Sequence, residues 1–474
     1  MSSEQFDLAI IGSGGGAFAA AIRATGLGKR VVMVERSTVG GTCVNTGCVP
    51  SKALLAAAEA RHVALDSTRF PGVVASAGPV DMPALIEGKA ALVESMRTEK
   101  YVDLAANYGW TMVEGEASFT GTPDAPLLQV ISPGGAVRTI EAEHYLVATG
   151  SAPHVPPIPR LDKAGYLTST TAMELDEVPE TLLVLGGGYV ALEMAQLFSR
   201  LGSRVTMLVR SRLASQEEPE ASKALAGVFA DEGIRVVRRA TADSVASDPD
   251  GVSVTASVAG GKETFRADRL LVAVGRRPVT EGLDLDSVGV KTGATSEIVV
   301  DSGLATSNPR IWAAGDVTGH REFVYVAAAH GAMAVDNAFI DAGAEVDYRH
   351  LPRVTFTSPT LGSVGMTEKE AVAAGIRCDC RVLPLEYVPR ALVNRDTRGF
   401  IKVVAELGTG RILGISAVAR DAGEIAAAGV YILEAGMTTA QVAAAWSPYL
   451  TMAEGIRIAC KAFTTDVSKL SCCA

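Results

Sequence analysis

The chain opens on a short apolar run, Phe6 to Ile11, followed at once by Gly12-Ser13-Gly14-Gly15-Gly16-Ala17, an Ala-rich stretch, and a second apolar run, Val31 to Val34, that ends on Glu35. Short apolar runs bounded by glycine predict buried strands, and the Ala-rich stretch predicts a helix. The order is strand, glycine turn, helix, strand, acid. It recurs. Leu182 to Leu185 predicts a strand, Gly186-Gly187-Gly188-Tyr189-Val190-Ala191 leads into a helix through Arg200, and Val205 to Val209 predicts the next strand. Leu270 to Val274 and Ile311 to Ala314 predict two more buried strands, each ending in a glycine turn at Gly275 and Gly315-Asp316. From Pro352 onward amphipathic strands and helices continue without another glycine fingerprint, which predicts a separate α+β domain with an association surface.

Strand, glycine turn, helix and acid together point to dinucleotide binding. The glycines permit a tight turn and close approach of a pyrophosphate. The helix N-terminus stabilises its charge, and the acid holds a ribose hydroxyl. Gly12, Gly14 and Glu35 are the candidates in the first module, Gly186 and Gly188 in the second. Two modules of one kind imply two dinucleotides, one held permanently and one exchanged. In the second, Val209 stands where the acid would be, and Arg210 and Arg212 follow. An arginine there accommodates a 2′-phosphate that an acid would repel, which favours NADPH over NADH. The alternative is that both arginines are solvated surface charges.

At 474 residues the chain is too long for one ordinary core, and several domains are expected. A net charge of -10 argues against nucleic acid or an anionic membrane surface as partner. The longest apolar stretch, Leu182 to Phe198, contains glycines and Glu193, and the first residues have no basic region or secretory core. No membrane span and a cytoplasmic location are therefore expected. Seven cysteines, an odd number, do not make a structural disulfide framework, so reactive or metal-binding thiols are expected.

Two cysteines stand out in Gly40-Gly41-Thr42-Cys43-Val44-Asn45-Thr46-Gly47-Cys48-Val49-Pro50-Ser51-Lys52. Placed at the start of one helix, Cys43 and Cys48 are expected to face each other across about one turn. The helix N-terminus favours thiolate, making the pair nucleophilic and easily oxidised. The alternative reading is two small buried hydrophobes. Cys472 and Cys473 end the chain as adjacent thiols beyond a polar approach from Thr464 to Leu470. Cys378 and Cys380 form a short C-x-C, a spacing compatible with metal binding; they are taken to face opposite sides of a strand, and so as incidental. Cys460, on an apolar helix, is read as core.

The stretch from Gly40 to Lys52 resembles the redox motif of the pyridine nucleotide–disulfide oxidoreductases, and the resemblance covers essentially the whole chain. It implies an α/β fold with two Rossmann-like dinucleotide-binding domains and a C-terminal α+β dimerisation domain. The expected limits are 1–150 and 273–350 for the two parts of the FAD domain, 151–272 for the NADPH domain and 351–474 for the dimerisation domain. It also implies FAD in the first module, NADPH in the second, and a homodimer whose active sites are shared between subunits. By the same resemblance Cys48 lies against the flavin and Cys43 is the interchange thiol. Lys52 and Glu193 pair beside the flavin ring, Asp316 holds the ribitol chain, and Ala17, Thr42, Ala117 and Val324 contact FAD through backbone groups.

Members of this family that reduce organic disulfides carry a His-Pro-Thr segment followed by a Glu, the His being the acid that protonates the leaving thiolate. Here the segment reads Trp446-Ser447-Pro448-Tyr449-Leu450-Thr451-Met452. Ser447 and Met452 replace the His and the Glu, and neither does that proton work near neutral pH. The Pro-Tyr replacement and the Cys472-Cys473 end are similar to the branch of the family that reduces mercury(II). That likeness implies Hg(II)-thiol complexes as substrate, Cys43, Cys48, Cys472 and Cys473 as metal ligands, and the phenols of Tyr189 and Tyr449 near the metal. Plain aromatic packing is the alternative for the two tyrosines. The chemistry agrees: soft cations prefer thiolates, and Hg(II) favours two linear sulfur ligands. Many members of that branch carry an N-terminal metal-binding domain; this sequence starts at the first nucleotide module, so hand-off is expected to rely on the tail and small thiols. The nearest alternative is a flavin disulfide reductase of thioredoxin-reductase type, which needs the missing acid. A non-catalytic metal sequestrant leaves the two nucleotide modules unexplained.

Overall fold

The computed structural model describes residues 5–471, so Cys472 and Cys473 lie outside the described residues. The chain forms two compact units: Met1–Ala53 with Pro83–His154 and Gly275–Val346, and Leu54–Met82 with Val155–Val274 and Asp347–Ala474.

The first unit begins with β1 (Gln5–Ile11), α1 (Gly15–Gly26) and β2 (Val31–Glu35). Two further helices, α2 (Gly41–Asn45) and α3 (Cys48–Leu65), follow. Next come β3 (Thr111–Glu114), β4 (Glu116–Gly121), β5 (Pro126–Ile131) and the long β6 (Val137–Val147). The sheet runs β3-β2-β1-β6-β5-β4, with the Ile311–Ala313 strand also on β6. Pairing from β3 to β6 is parallel, with Ile11 opposite both Val34 and Val147; β6, β5 and β4 are antiparallel. Parallel strands are covered on both faces, so β1 and β2 read as nearly unbroken apolar runs. On α1 the alanines 17, 20, 21 and 24 are buried at helical spacing. Their small side chains let the Val324–Ile340 helix pack closely on α1. Phe18 meets Tyr101 and Trp110 edge-on at centroid distances of 4.8 and 5.4 Å, each pair worth about 1 kcal/mol beyond area burial.

In the second unit a parallel sheet has the order Arg235–Arg238, Arg204–Val209, Thr181–Leu185, Arg269–Val272. A three-stranded antiparallel sheet lies between the last two in sequence. The C-terminal part is a five-stranded antiparallel sheet ordered Arg353–Thr355, Thr360–Gly365, Ile412–Ala419, Phe400–Glu406, Cys378–Pro384. Ile401, Val403, Ile415 and Ala417 from this sheet pack with Ile425 and Ile456 of the Ala422–Glu434 and Glu454–Lys461 helices. Ion pairs of the buried Lys402 and of Arg353 join the parallel-sheet part to the C-terminal sheet: Lys402 Nζ lies 3.0 and 3.1 Å from Glu218 and Glu220, and Arg353 Nε lies 2.9 Å from Glu217; within the C-terminal part Lys402 Nζ also lies 2.8 Å from Glu368.

One expectation is corrected here. Cys378 and Cys380 both lie on the Cys378–Pro384 strand. The side-chain period of a strand is two, so residues two apart share a face, and it is Asp379 between them that points the other way. Among the described residues no helix is long and apolar enough to cross a membrane.

Candidate active site

The first glycine turn is built for close approach. Gly12 has φ +101°, and a Cβ there would stand 2.5 Å from the Ala148 carbonyl oxygen. Gly14 caps α1 without any side-chain hydrogen bond, so the first-turn amides are left for an anion. Glu35 ends β2 next to the turn. Ser13 Oγ donates to Glu35 Oε2 at 2.6 Å and accepts from Gly40 N–H at 3.1 Å, while Ser37 N–H donates to Glu35 Oε1 at 2.9 Å. The acid is thus held in place, and the glycine turn is linked to the cysteine segment. On the other side of the turn, Val324 Cγ2 lies 3.0 Å from where a Cβ on Gly15 would stand. Asp316 accepts from Ser151 Oγ at 2.6 Å, and Arg276 Nε holds the same hydroxyl at 2.7 Å. Bare amides, a fixed acid and a glycine cradle fit the pyrophosphate and ribose of a dinucleotide.

Cys43 and Cys48 do not share one helix. Cys43 lies in α2, the chain breaks at Thr46 and Gly47, and Cys48 is the first residue of α3. A Cβ on Gly47 would stand 2.9 Å from the Thr42 carbonyl oxygen, and that close approach shapes the break. Asn45 pins the segment, donating to the Val39 and Gly41 carbonyls at 3.0 Å each and accepting from Arg97 Nη1 at 3.1 Å. Cys48 is exposed and Cys43 half-buried. A hydrogen bond to Cys48 and then burial push the Cys43 thiol above the usual range, with Lys52 acting against them. Of the two, Cys48 is the one that stands at the N-terminus of a long helix, where the expectation of a thiolate-favouring helix end applies.

The second turn repeats the first. Gly186 has φ +129°, a Cβ there would lie 2.1 Å from the Ala273 carbonyl oxygen, and Gly188 caps the Tyr189–Leu201 helix without a side-chain bond. This too fits a pyrophosphate. The two arginines separate. Arg212 donates to the carbonyls of Ser215, Glu217 and Glu218 at 2.9, 2.7 and 3.2 Å and so braces its own loop. Arg210 is exposed at the end of the Arg204–Val209 strand.

Residues 6–331 match the pyridine nucleotide-disulphide oxidoreductase family, and residues 351–460 match that family's dimerisation domain. A mercuric reductase of Streptomyces lividans is 58% identical over 99% of this chain and 98% of that protein. The mercuric reductase of Staphylococcus aureus is 45% identical over 99% of this chain and 84% of its own length. The chain belongs to the mercuric reductase branch of the pyridine nucleotide-disulphide oxidoreductases. Among solved structures, a Cu(II) complex of the HOCl-induced flavoprotein disulfide reductase RclA from Escherichia coli is 28% identical, covering 97% of this chain and 99% of that one with a TM-score of 0.86. LpdA from Mycobacterium tuberculosis is 26% identical over 97% of this chain and 100% of its own, again with a TM-score of 0.86.

The remaining candidates are spread across both units. Ala17 is buried in α1, Thr42 precedes Cys43 on α2, and Ala117 on β4 packs against the core of the first unit. Lys52 lies on α3 in the first unit; Glu193, in the second, is buried and accepts from the Phe356 N–H at 2.9 Å. Tyr189 opens its helix and donates to Glu217 Oε1 at 2.8 Å. Ser447 and Tyr449 lie in the irregular stretch before the Glu454–Lys461 helix, and Met452 is buried in the C-terminal core. Three residues here were missed from the sequence. Tyr101, on a π-helical turn Thr98–Val102, has its phenol pushed up by burial and then by the charges of Cys43 and Cys48. Glu217 takes Tyr189, Arg353 and Ser363 together. His330 Nδ1 accepts from Gly315 N–H at 3.2 Å, under the turn that carries Asp316.

Proposed function

We propose that this chain reduces Hg(II) to elemental mercury with NADPH, using FAD and the Cys43–Cys48 pair. The observation that carries the reading is 58% identity to a mercuric reductase over nearly the full length of both proteins. FAD, when bound, relays electron pairs between NADPH and the thiol site. Gly12, Gly14, Glu35 and Asp316, with Ala17, Thr42, Ala117 and Val324, hold FAD in this reading, and Lys52 and Glu193 flank its ring. Gly186, Gly188 and Arg210 hold NADPH.

Hg(II) arrives as a complex with two small thiols. Cys43 and Cys48 displace both, and the protons of the pair leave on the departing thiols. Each exchange trades one thiolate for another, so bare Hg(II) is never released. Two electrons then reach the metal, and neutral mercury has little affinity for sulfur. No substrate thiolate has to be protonated at the flavin side. Ser447 in place of a general acid is therefore tolerable, and organic disulfides are poor substrates. Tyr189 and Tyr449 offer phenols to the metal.

The active unit in this reading is a homodimer that shares its sites. The dimerisation-domain match supports it, as does the apolar surface at Trp446, which is fully exposed, and Tyr431, 76% exposed. The segment around Tyr449 comes from the partner subunit, and Cys472 and Cys473, which also come from it, deliver the metal. The test is NADPH oxidation with Hg(II) in excess small thiol, run beside oxidised glutathione, lipoamide and thioredoxin. Fast turnover with Hg(II) alone supports the reading; equal or faster turnover with a disulfide refutes it.

A further inference from the structure

We infer that Cys378 and Cys380 form a second dithiol site, on the edge of the C-terminal sheet, that binds one soft two-coordinate cation of the Hg(II) class. The Cys378–Pro384 strand is the edge of its sheet and pairs only with Phe400–Glu406, setting Cys378 opposite Glu406 and Cys380 opposite Val404. Asp379, Arg381 and Leu383 point to the other face: Leu383 is buried in the core, and Arg381 bonds the Ala462 carbonyl at 3.0 Å. That leaves both cysteines on one face. Both are half-exposed, within reach of a small-thiol complex, whereas Cys460 is buried.

The spacing suits a metal better than a disulfide. Residues two apart on a strand stand roughly 6.7 Å apart at Cα, with parallel Cα–Cβ bonds. That is the far limit of what a disulfide spans, and a disulfide needs the Cβ atoms to converge to about 3.8 Å. An inserted cation adds two metal–sulfur bonds of about 2.3 Å each, by the measure of zinc thiolates, and closes the gap without moving the backbone. Among the described residues no group of three His, Cys, Asp or Glu could hold a metal ion, so the pair favours linear coordination over a tetrahedral ion such as zinc.

Glu368 accepts a hydrogen bond from Cys380 and is itself held by Lys402 Nζ at 2.8 Å. Loading is an exchange: one Hg(II) bis-thiolate meets two protein thiols, two sulfur–mercury bonds form and two break. The two protein protons leave on the departing small thiols. No electrons move.

The choice of Hg(II) as probe rests on the proposed function, while the site rests on strand geometry. The full-length, FAD-loaded chain with Cys43, Cys48, Cys472 and Cys473 all changed to Ala is equilibrated with Hg(II) and a modest excess of glutathione, then weighed by native mass spectrometry. One mercury per chain is expected. Adding Cys378→Ser or Cys380→Ser should lower occupancy at least tenfold, since a single sulfur loses to glutathione. In the otherwise unaltered chain, Hg(II) should protect both thiols from alkylation, and Cys378→Ser should leave NADPH-driven Hg(II) turnover unchanged. Absence of bound mercury in the four-alanine chain, or retention that survives both serine changes, overturns the site. Loss of turnover in the unaltered chain bears on the proposed function alone.

Discussion

The phenol of Tyr189 donates to Glu217 at 2.8 Å, and Glu217 is also paired with Arg353 and bonded by Ser363. Burial pushes the Glu217 carboxyl up, but the bonds from Arg353, Ser363 and Tyr189 outweigh it and hold it below the usual carboxylate range. Glu217→Ala leaves the Arg353 guanidinium buried without its partner and should destabilise the protein by about 3–5 kcal/mol. Tyr189→Phe removes one hydrogen bond at a cost of about 1 kcal/mol. Its effect on Hg(II) turnover should be larger than its effect on the melting temperature. Thermal melts beside NADPH-oxidation assays separate the two; equal melts for wild type and Glu217→Ala would count against this hub. Because the Glu217 pKa is depressed on folding, its contribution is present above about 4.3, the unfolded value, and is lost as pH falls through the lower folded value.

Acid should loosen flavin binding by another route. Burial, then the neighbouring His320, hold His330 down at about 4. Neutral His330 accepts from the Gly315 amide, and a protonated ring cannot. The unfolded chain binds this proton at about 6.5, so folding loses stability as pH falls from about 6.5 to 4, by roughly 3 kcal/mol in total. Flavin fluorescence released on acidification should rise across that interval, and His330→Gln should flatten the rise. An unchanged profile in the variant would refute it.

Cofactor choice should depend on Arg210 and not on Arg212. Arg210 is exposed at the strand end, whereas Arg212 braces its own loop. Arg210→Ala should narrow the preference for NADPH over NADH by about ten- to a hundredfold, the loss of a charge-assisted contact of roughly 1.5–3 kcal/mol. Arg212→Ala should lower the melting temperature with a smaller effect on that ratio. Comparing kcat/KM for the two nucleotides decides it; equal ratios in wild type would end the assignment.

Delivery by Cys472 and Cys473 should occur between subunits. A mixed dimer with Cys43→Ala in one subunit and Cys472→Ala with Cys473→Ala in the other keeps one complete site if the tail acts in trans, so about half the activity survives. Delivery within one chain leaves no complete site, and a mixed dimer as weak as either parent would show that.

Local patterns were legible in the sequence, and long-range partnerships were not. β1, α1, β2 and the Thr181–Leu185, Tyr189–Leu201 and Arg204–Val209 elements fall where apolar runs and glycine turns placed them, within a residue or two. The break between Cys43 and Cys48 was hidden because it depends on Gly47 approaching the Thr42 carbonyl, which only the folded backbone reveals. Glu217 and Arg353 are far apart in sequence, and no motif announces their pairing. Tyr101 feels the charge of the thiols from a π-helical turn that no periodicity marks. The shared face of Cys378 and Cys380 follows from strand period alone and was available from the start.

The central claim is that Cys43 and Cys48 together hold the metal while it is reduced. The most direct measurement is anaerobic NADPH oxidation by the FAD-loaded Cys43→Ser and Cys48→Ser proteins, with Hg(II) in excess small thiol. Each variant should still bleach its flavin on addition of NADPH, yet turn over Hg(II) at least about a hundredfold more slowly, close to 3 kcal/mol in the barrier. Wild-type turnover of thiol-complexed Hg(II) in either variant would contradict the claim.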